Sequence, residues 1–227
     1  MEPVTLSCAE KSTREINAAL AALPDGASAR VLEPRGRHNL AVGLANRVTV
    51  DIEGNAGYFI VGLGKGPDIV VNGFVGWSVG ENLMGGTIRV KGSASQSAGS
   101  SARGGKIFVE GHASLRAGIS LKGATLAIAG NAGAMTGFMA QAGTILIGGD
   151  AGHALGDSLY EAVVYVQGTV ASLGADAVFE DMSEEDVLLV KRLVEESGFE
   201  HIDADRVTKV VSARQLYHFS THHHGAY

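Results

Sequence analysis

The sequence predicts a parallel β-helix: an all-β core of seven 19-residue glycine-rich coils, with short flanking helices as caps. Three observations predict it. Glycine recurs at Gly54, Gly73, Gly92, Gly111, Gly130, Gly149 and Gly168, six successive steps of 19 residues without an insertion. Four and two positions before each stand Val50/Ile52, Ile69/Val71, Ile88/Val90, Ile107/Val109, Leu126/Ile128, Ile145/Ile147 and Val164/Val166. Two and three positions after each come Ala or Val, then Gly, Ser or Ala.

Aliphatic residues alternating with period two line one buried face of a short strand. The glycine beside it supplies either an unusual φ for a corner or room for a close backbone. Five rows carry a second glycine seven positions on, at Gly80, Gly99, Gly118, Gly137 and Gly156. Strand, corner, small residues and second corner make one coil. Coils pairing at about 4.8 Å would stack on the order of 30 Å long. Helical solenoids repeat at about 33 residues or more, and propeller blades at about 40. Leucine-rich repeats need a Leu/Asn signature, and the calcium-binding nonapeptide β-helix needs an Asp ladder. None fits.

Residues 1–47 read as an N-terminal cap with a short helix. Ser12-Thr13-Arg14-Glu15 has capping-box spacing before Ile16, Ala19, Leu20 and Leu23, and Pro24-Asp25-Gly26 turns the chain. Residues 48–174 are the β-helix. Residues 175–227 read as an acidic C-terminal helix and tail. There, Ser183-Glu184-Glu185-Asp186 opens a helix with Val187, Val190, Leu193 and Val194 on one face, and Gly198 stops it. Open solenoid ends expose edge strands, so both helices are expected to act as end caps.

Composition bounds the function. Thirty-two of 227 residues are glycine and only four proline, without the triplet period of collagen. Apolar residues make up 45%, enough for a sizeable core. The net charge of −6 resides in residues 175–227, and the middle is nearly neutral, so no basic stripe for nucleic acid is expected. No apolar run approaches the roughly 18–20 residues of a membrane span. Cys8 is the single cysteine, which excludes an internal disulfide and Cys-based clusters. A soluble, cytoplasmic protein of a reducing compartment is expected, without membrane partners.

Few residues suggest chemistry. Gly62-Leu63-Gly64-Lys65-Gly66 lacks the full spacing of a phosphate loop and reads as a corner. His222-His223-His224, with His218 nearby, reads as a tail, since adjacent histidines do not converge easily on one ion. His38, His112, His153 and His201 are scattered, and Cys8 lacks an activating setting. No catalytic, cofactor-binding or metal-binding residue is assigned. One file of residues does suggest an interface. Eleven positions after successive repeat glycines come Met84, Arg103, Lys122, Gln141 and Tyr160, beside Leu83, Ala102, Leu121, Ala140 and Leu159. A mixed ladder of this kind suits contact with another protein. Asp157 and Glu161 lie in the same neighbourhood and join the candidate interface.

At these residues the sequence becomes familiar. The stretch from Gly137-Phe138-Met139-Ala140-Gln141-Ala142-Gly143 through Gly149-Asp150-Ala151-Gly152 to Gly156-Asp157-Ser158-Leu159-Tyr160-Glu161-Ala162 resembles the GXGXG domain of glutamate synthase. That domain is a right-handed parallel β-helix. Val170–Asp176, Ser212–Phe219 and Gly225-Ala226-Tyr227 look like the free-standing glutamate-synthase-like subunit of N-methylglutamate synthase systems. The resemblance spans nearly the whole chain. His222-His223-His224 departs from the family's pattern.

The resemblance implies a non-catalytic scaffold subunit within an enzyme complex. It would join a glutamine-amidotransferase-like subunit to an FMN-binding glutamate-synthase-like subunit in a hetero-oligomer. FMN, with or without an iron–sulfur cluster, would reside in the partner and not in this chain. The reaction implied is formation of N-methylglutamate from glutamate and methylamine. Two alternatives stand beside it. A formylmethanofuran dehydrogenase-like complex uses similar coils in a structural subunit, but the Ser212–Phe219 ending argues against it. An independent β-helix acyltransferase would need a six-residue period, which does not divide 19.

Overall fold

The computed structural model describes residues 2–215. His218 and His222-His223-His224 lie outside the described residues. Among those described, no helix is long and apolar enough to cross a membrane. The chain is a β-solenoid built on one sheet. Its strands are β1 (Val4–Ser7), β2 (Ser28–Leu32), β3 (Thr49–Glu53), β4 (Asp68–Val71), β5 (Thr87–Val90), β6 (Lys106–Val109), β7 (Lys122–Ile128), β8 (Ala142–Ile147), β9 (Val163–Val166), β10 (Ala177–Glu180) and β11 (Thr208–Ser212). Strands β1 to β9 stack in chain order and in parallel, followed by β11 and then β10.

The repeat fixes the register. Val50 pairs with Ile69, and Ile88, Ile107, Leu126, Ile145 and Val164 follow in one column. A second ladder of single bridges joins Ala56, Val75, Ala94, Ala113, Ala132, Ala151 and Val170. The two ladders form two sides of each coil. The parallel sheet also reaches back into the N-terminal segment, where Val4 pairs with Ala29 and Ala29 with Val50. Those first coils are longer, and the first carries helix α1 (Thr13–Ala21) in its connection.

Helix α1 starts at the expected capping box, with Ser12 accepting from the Glu15 N–H and Glu15 accepting from the Ser12 N–H. Its Ile16 and Leu20 join the interior core that runs through all the coils. Asn46 donates to the Leu20 and Leu23 carbonyls and so satisfies its C-terminal end. This helix thus packs its apolar face onto the interior of the first coils.

Helix α2 (Glu184–Ser197) also starts and stops where the sequence places it, at Ser183 and at a left-handed Gly198. Its location differs from that of an end cap. Strands β6 to β9 turn Phe108, Ala127, Leu146 and Tyr165 outward, and these form a second core with Val190 and Leu193 of α2. Phe199, Ile202, Ala204 and Val207, just beyond the helix, complete it. The helix therefore covers the outer flank of the sheet, because that is where an apolar stripe needs a lid. Arg89 of β5 ties it down, donating to the Ser197 carbonyl at 2.7 Å while its guanidinium lies 4.9 Å from the Phe108 ring centre. A cation thus faces the negative end of the helix dipole. At the open end, β11 lies antiparallel to β9 and to β10.

The repeat glycines serve mainly by lacking a side chain. A Cβ on Gly111 would stand 2.9 Å from the Gly92 backbone of the preceding coil. Apart from Gly54, the positive φ falls on the second glycine of the five rows that carry one, as at Gly118 (+69°). Gly111→Ala should therefore push two coils apart and destabilise the protein by about 1–3 kcal/mol. The exposed Arg116→Ala should stay within about 0.5 kcal/mol. Urea unfolding midpoints of the two variants check this contrast.

Candidate functional site

The candidate column forms as a physical stack. Each member follows a buried residue: Leu83, Ala102, Leu121, Ala140 and Leu159 are all fully buried and belong to the core rather than to the surface. The next side chain along is therefore directed outward. Backbone hydrogen bonds set the spacing, with Met84 donating to Gly64, Arg103 to Leu83, Lys122 to Ala102, Gln141 to Leu121 and Tyr160 to Ala140, all within 2.7–2.9 Å. Met84, Arg103 and Gln141 are exposed, and Lys122 and Tyr160 half-buried. Lys122 opens β7 beside a register irregularity. Among the described residues neither Arg103 nor Lys122 forms an ion pair.

The same spacing places Lys65 at the head of the column, its N–H donating to the Leu44 carbonyl at 2.8 Å. Counting eleven residues from Gly54 would have found it in the sequence. Aromatic residues occupy the neighbouring corner. His38, Tyr58 and Trp77 stack ring on ring, with centroids 4.3 and 4.9 Å apart. Phe59, Leu63 and Phe74 are exposed beside them. Their signal in the sequence is weak, since only two coils carry an aromatic residue four positions after the repeat glycine.

Asp157 is not grouped with the column by its contacts. Its carboxylate accepts from the Ser158 hydroxyl at 2.8 Å and from the Ala175 N–H at 3.2 Å, which fastens the last coil. Glu161 is exposed and, with Tyr160, lines a cavity of about 740 Å³ at the C-terminal end. Glu180, Lys209 and Arg214 line its other wall.

Behind that wall lies a polar cluster that holds α2 to the sheet. The Tyr165 hydroxyl donates to Asp186 Oδ1 at 2.5 Å, and Lys209 Nζ lies 2.9 Å from Asp186 Oδ2 and 2.7 Å from Glu180. Desolvation alone would raise the Asp186 pKa. Hydrogen bonds from Tyr165, from the N–H and hydroxyl of Ser183 and from Lys209 outweigh it and hold the carboxyl well below the usual carboxylate range. Burial first, then the bond to Asp186, pushes the Tyr165 phenol well above its ordinary value.

The scattered histidines are in structural use. His38 and His112 accept through Nδ1 from the Tyr58 and Asn131 N–H groups. His112 belongs to a ladder in which Asn55, Ser93, Asn131 and Asp150 each accept the N–H of the residue 19 positions on. His153 contacts the Ser172 hydroxyl, and His201 the Ala129 carbonyl. Burial pushes the Cys8 thiol up, against the opposing charge of Arg37. Gly62-Leu63-Gly64-Lys65-Gly66 lies in turns, as a corner should.

Compared with models of known protein families and with curated proteins, the chain matches none. Fold and face together define a class, a parallel β-helix with one flank covered by a helix and, among the described residues, the opposite side uncovered.

The polar cluster predicts an asymmetric pH dependence. The folded pKa of Asp186 is depressed, so its stabilisation is present above the unfolded value near ~4 and is lost as pH falls below it. The Tyr165 pKa is raised, so stability is lost as pH climbs past the unfolded value near ~10. Asp186→Asn should cost about 2–4 kcal/mol at pH 7 and flatten the acid-side slope. Urea unfolding at intervals from pH 3 to pH 7 measures both.

Proposed function

We propose that this chain is a non-catalytic scaffold subunit of a multi-subunit, glutamate-synthase-like FMN enzyme. The reading is carried by the open side of the solenoid, where a rigid ladder presents Met84, Arg103, Lys122 and Gln141 at fixed intervals. Side chains fixed on a regular backbone lose little entropy on docking, which favours a broad contact with a folded partner. The interior supports the same reading, because aliphatic side chains fill it along the whole stack and leave a flavin no room between the coils.

The resemblance of Gly137–Ala162 to the GXGXG domain supplies the reaction. In this proposal the enzyme is N-methylglutamate synthase, which forms N-methylglutamate and ammonium from glutamate and methylamine. The partners are the glutamine-amidotransferase-like and the FMN-binding subunits, and the complex is cytoplasmic. The scaffold's contribution is orientation of two active sites, through which productive transfer of nitrogen between them gains proximity.

The lone chain should purify without flavin absorbance and turn over neither glutamine nor glutamate. Co-expressed with the two partner subunits, it should enter a complex that forms N-methylglutamate, and omission of the chain should abolish both assembly and activity. Stoichiometric flavin on the isolated chain, or full activity of the two other subunits without it, would refute the proposal.

A further inference from the structure

The two flanks of the solenoid differ in how their charges and apolar groups are satisfied. On the sheet flank, Arg30, Arg89, Lys91 and Lys106 all find carboxylates within 2.8–3.3 Å, and α2 covers the apolar stripe. The opposite flank is built from the eleven residues that follow each repeat glycine. Between residues 55 and 141 it carries four cations, Lys65, Arg103, Arg116 and Lys122, against the single anion Glu81. Among the described residues none of these five forms an ion pair. The last two rows of the flank carry Asp150, Asp157 and Asp176 and no Lys or Arg, so the positive face is confined to residues 55–141, on a chain whose net charge is −6.

The same flank holds Phe59, Leu63, Trp77 and Met84, each at least 42% exposed. Backbone bonds make residues of this flank neighbours on adjacent coils: Phe59 donates to the Trp77 carbonyl, Leu63 to that of Glu81, and Arg103 to that of Leu83, next to Met84. The +11 column reads Lys65, Met84, Arg103, Lys122 in successive coils about 4.8 Å apart. Two like charges one coil apart repel by no more than about 1 kcal/mol in water. An isolated surface tolerates that cost, and an anionic neighbour removes it. An exposed aromatic cluster on the same run of coils as unpaired cations has the make-up of an interface hot spot with a steering rim.

We infer that this flank, centred on Trp77 and the Lys65–Lys122 column, is the docking surface for a folded protein whose facing surface is acidic around an apolar patch. The inference rests on the scaffold reading and adds which side of the solenoid is used and the charge its partner must carry. Association is steered by charge and held by the aromatic residues.

Trp77 is the only tryptophan, so its emission reports occupancy of the flank directly. Two titrations of the full chain test the inference. In the first, the probe is a soluble glutamate–tyrosine copolymer, with polylysine and a single-stranded oligonucleotide as controls. The expected result is a blue shift with the copolymer alone, suppressed by salt and weakened at least tenfold in Arg103→Glu/Lys122→Glu. An equal or stronger response to the oligonucleotide, or none to the copolymer, overturns it. In the second, the probes are the purified amidotransferase-like and FMN-binding subunits. Binding that shifts Trp77 emission, and that sedimentation velocity shows weakened at least tenfold by Trp77→Ala or by the double reversal but not by Leu188→Glu on α2, supports it. Binding that leaves Trp77 emission and both face variants unaffected overturns the inference and leaves the scaffold reading intact. Failure of both subunits to bind while the copolymer response holds overturns the scaffold reading and leaves the docking surface standing. Melting temperatures of the variants confirm that each is folded.

Discussion

Each coil of this protein is held by backbone hydrogen bonds to the coil before it and the coil after it, and those bonds admit one period. A single added residue would turn the side chains beyond it from interior to surface. The column Val50, Ile69, Ile88, Ile107, Leu126, Ile145 and Val164 stays buried only because every step is 19 residues. Glycine at the strand ends follows from the same constraint, since coils in register bring backbone onto backbone at one corner. So does the candidate face: residues eleven positions after the repeat glycine align because everything in a coil aligns.

That is why the fold was legible. Strand positions, the stacking order of seven coils, the capping box at Ser12, the helix start at Ser183 and the stop at Gly198 were written in local pattern. What was not legible lay in the turns. Nineteen non-glycine residues among those described take positive φ, including Ser97, Arg116, Met135 and Ser158. Left-handed backbone costs such residues about 1–2 kcal/mol each when isolated. Here inter-coil bonds compensate, as when Ser97 donates to the Leu115 carbonyl at 2.9 Å, and no propensity rule registers that. The placement of α2 was hidden for another reason. An amphipathic helix declares that it has a buried face but not what it packs on. The missing clue was the outward column, which changes from Asp51, Val70 and Arg89 to Phe108, Ala127, Leu146 and Tyr165 as the helix begins to cover it.

The candidate face was legible in part for the same reasons. Met84, Arg103, Lys122 and Gln141 stand where period alone puts them. The role of Asp157 as a fastener depends on the Ala175 N–H, in a stretch where the repeat gives out and spacing no longer identifies neighbours. The His38–Tyr58–Trp77 stack begins before the first regular coil, so repeat counting starts too late to include His38.

The reversal of direction at β11 has a consequence for the protein as a polymer. A stack of identical coils with a free parallel edge would be a template on which a second molecule could lay its own first coil, and that one a third. Because β11 runs against β9, and β10 against β11, the last strand points the same way as β9 again but is separated from it by an antiparallel strand. A neighbour's β1 would meet the four-residue strand Ala177–Glu180 rather than another 19-residue coil. In the language of chain growth the β10–β11 pair acts as a terminator, since the coil whose repetition makes the molecule rigid is not what its end presents.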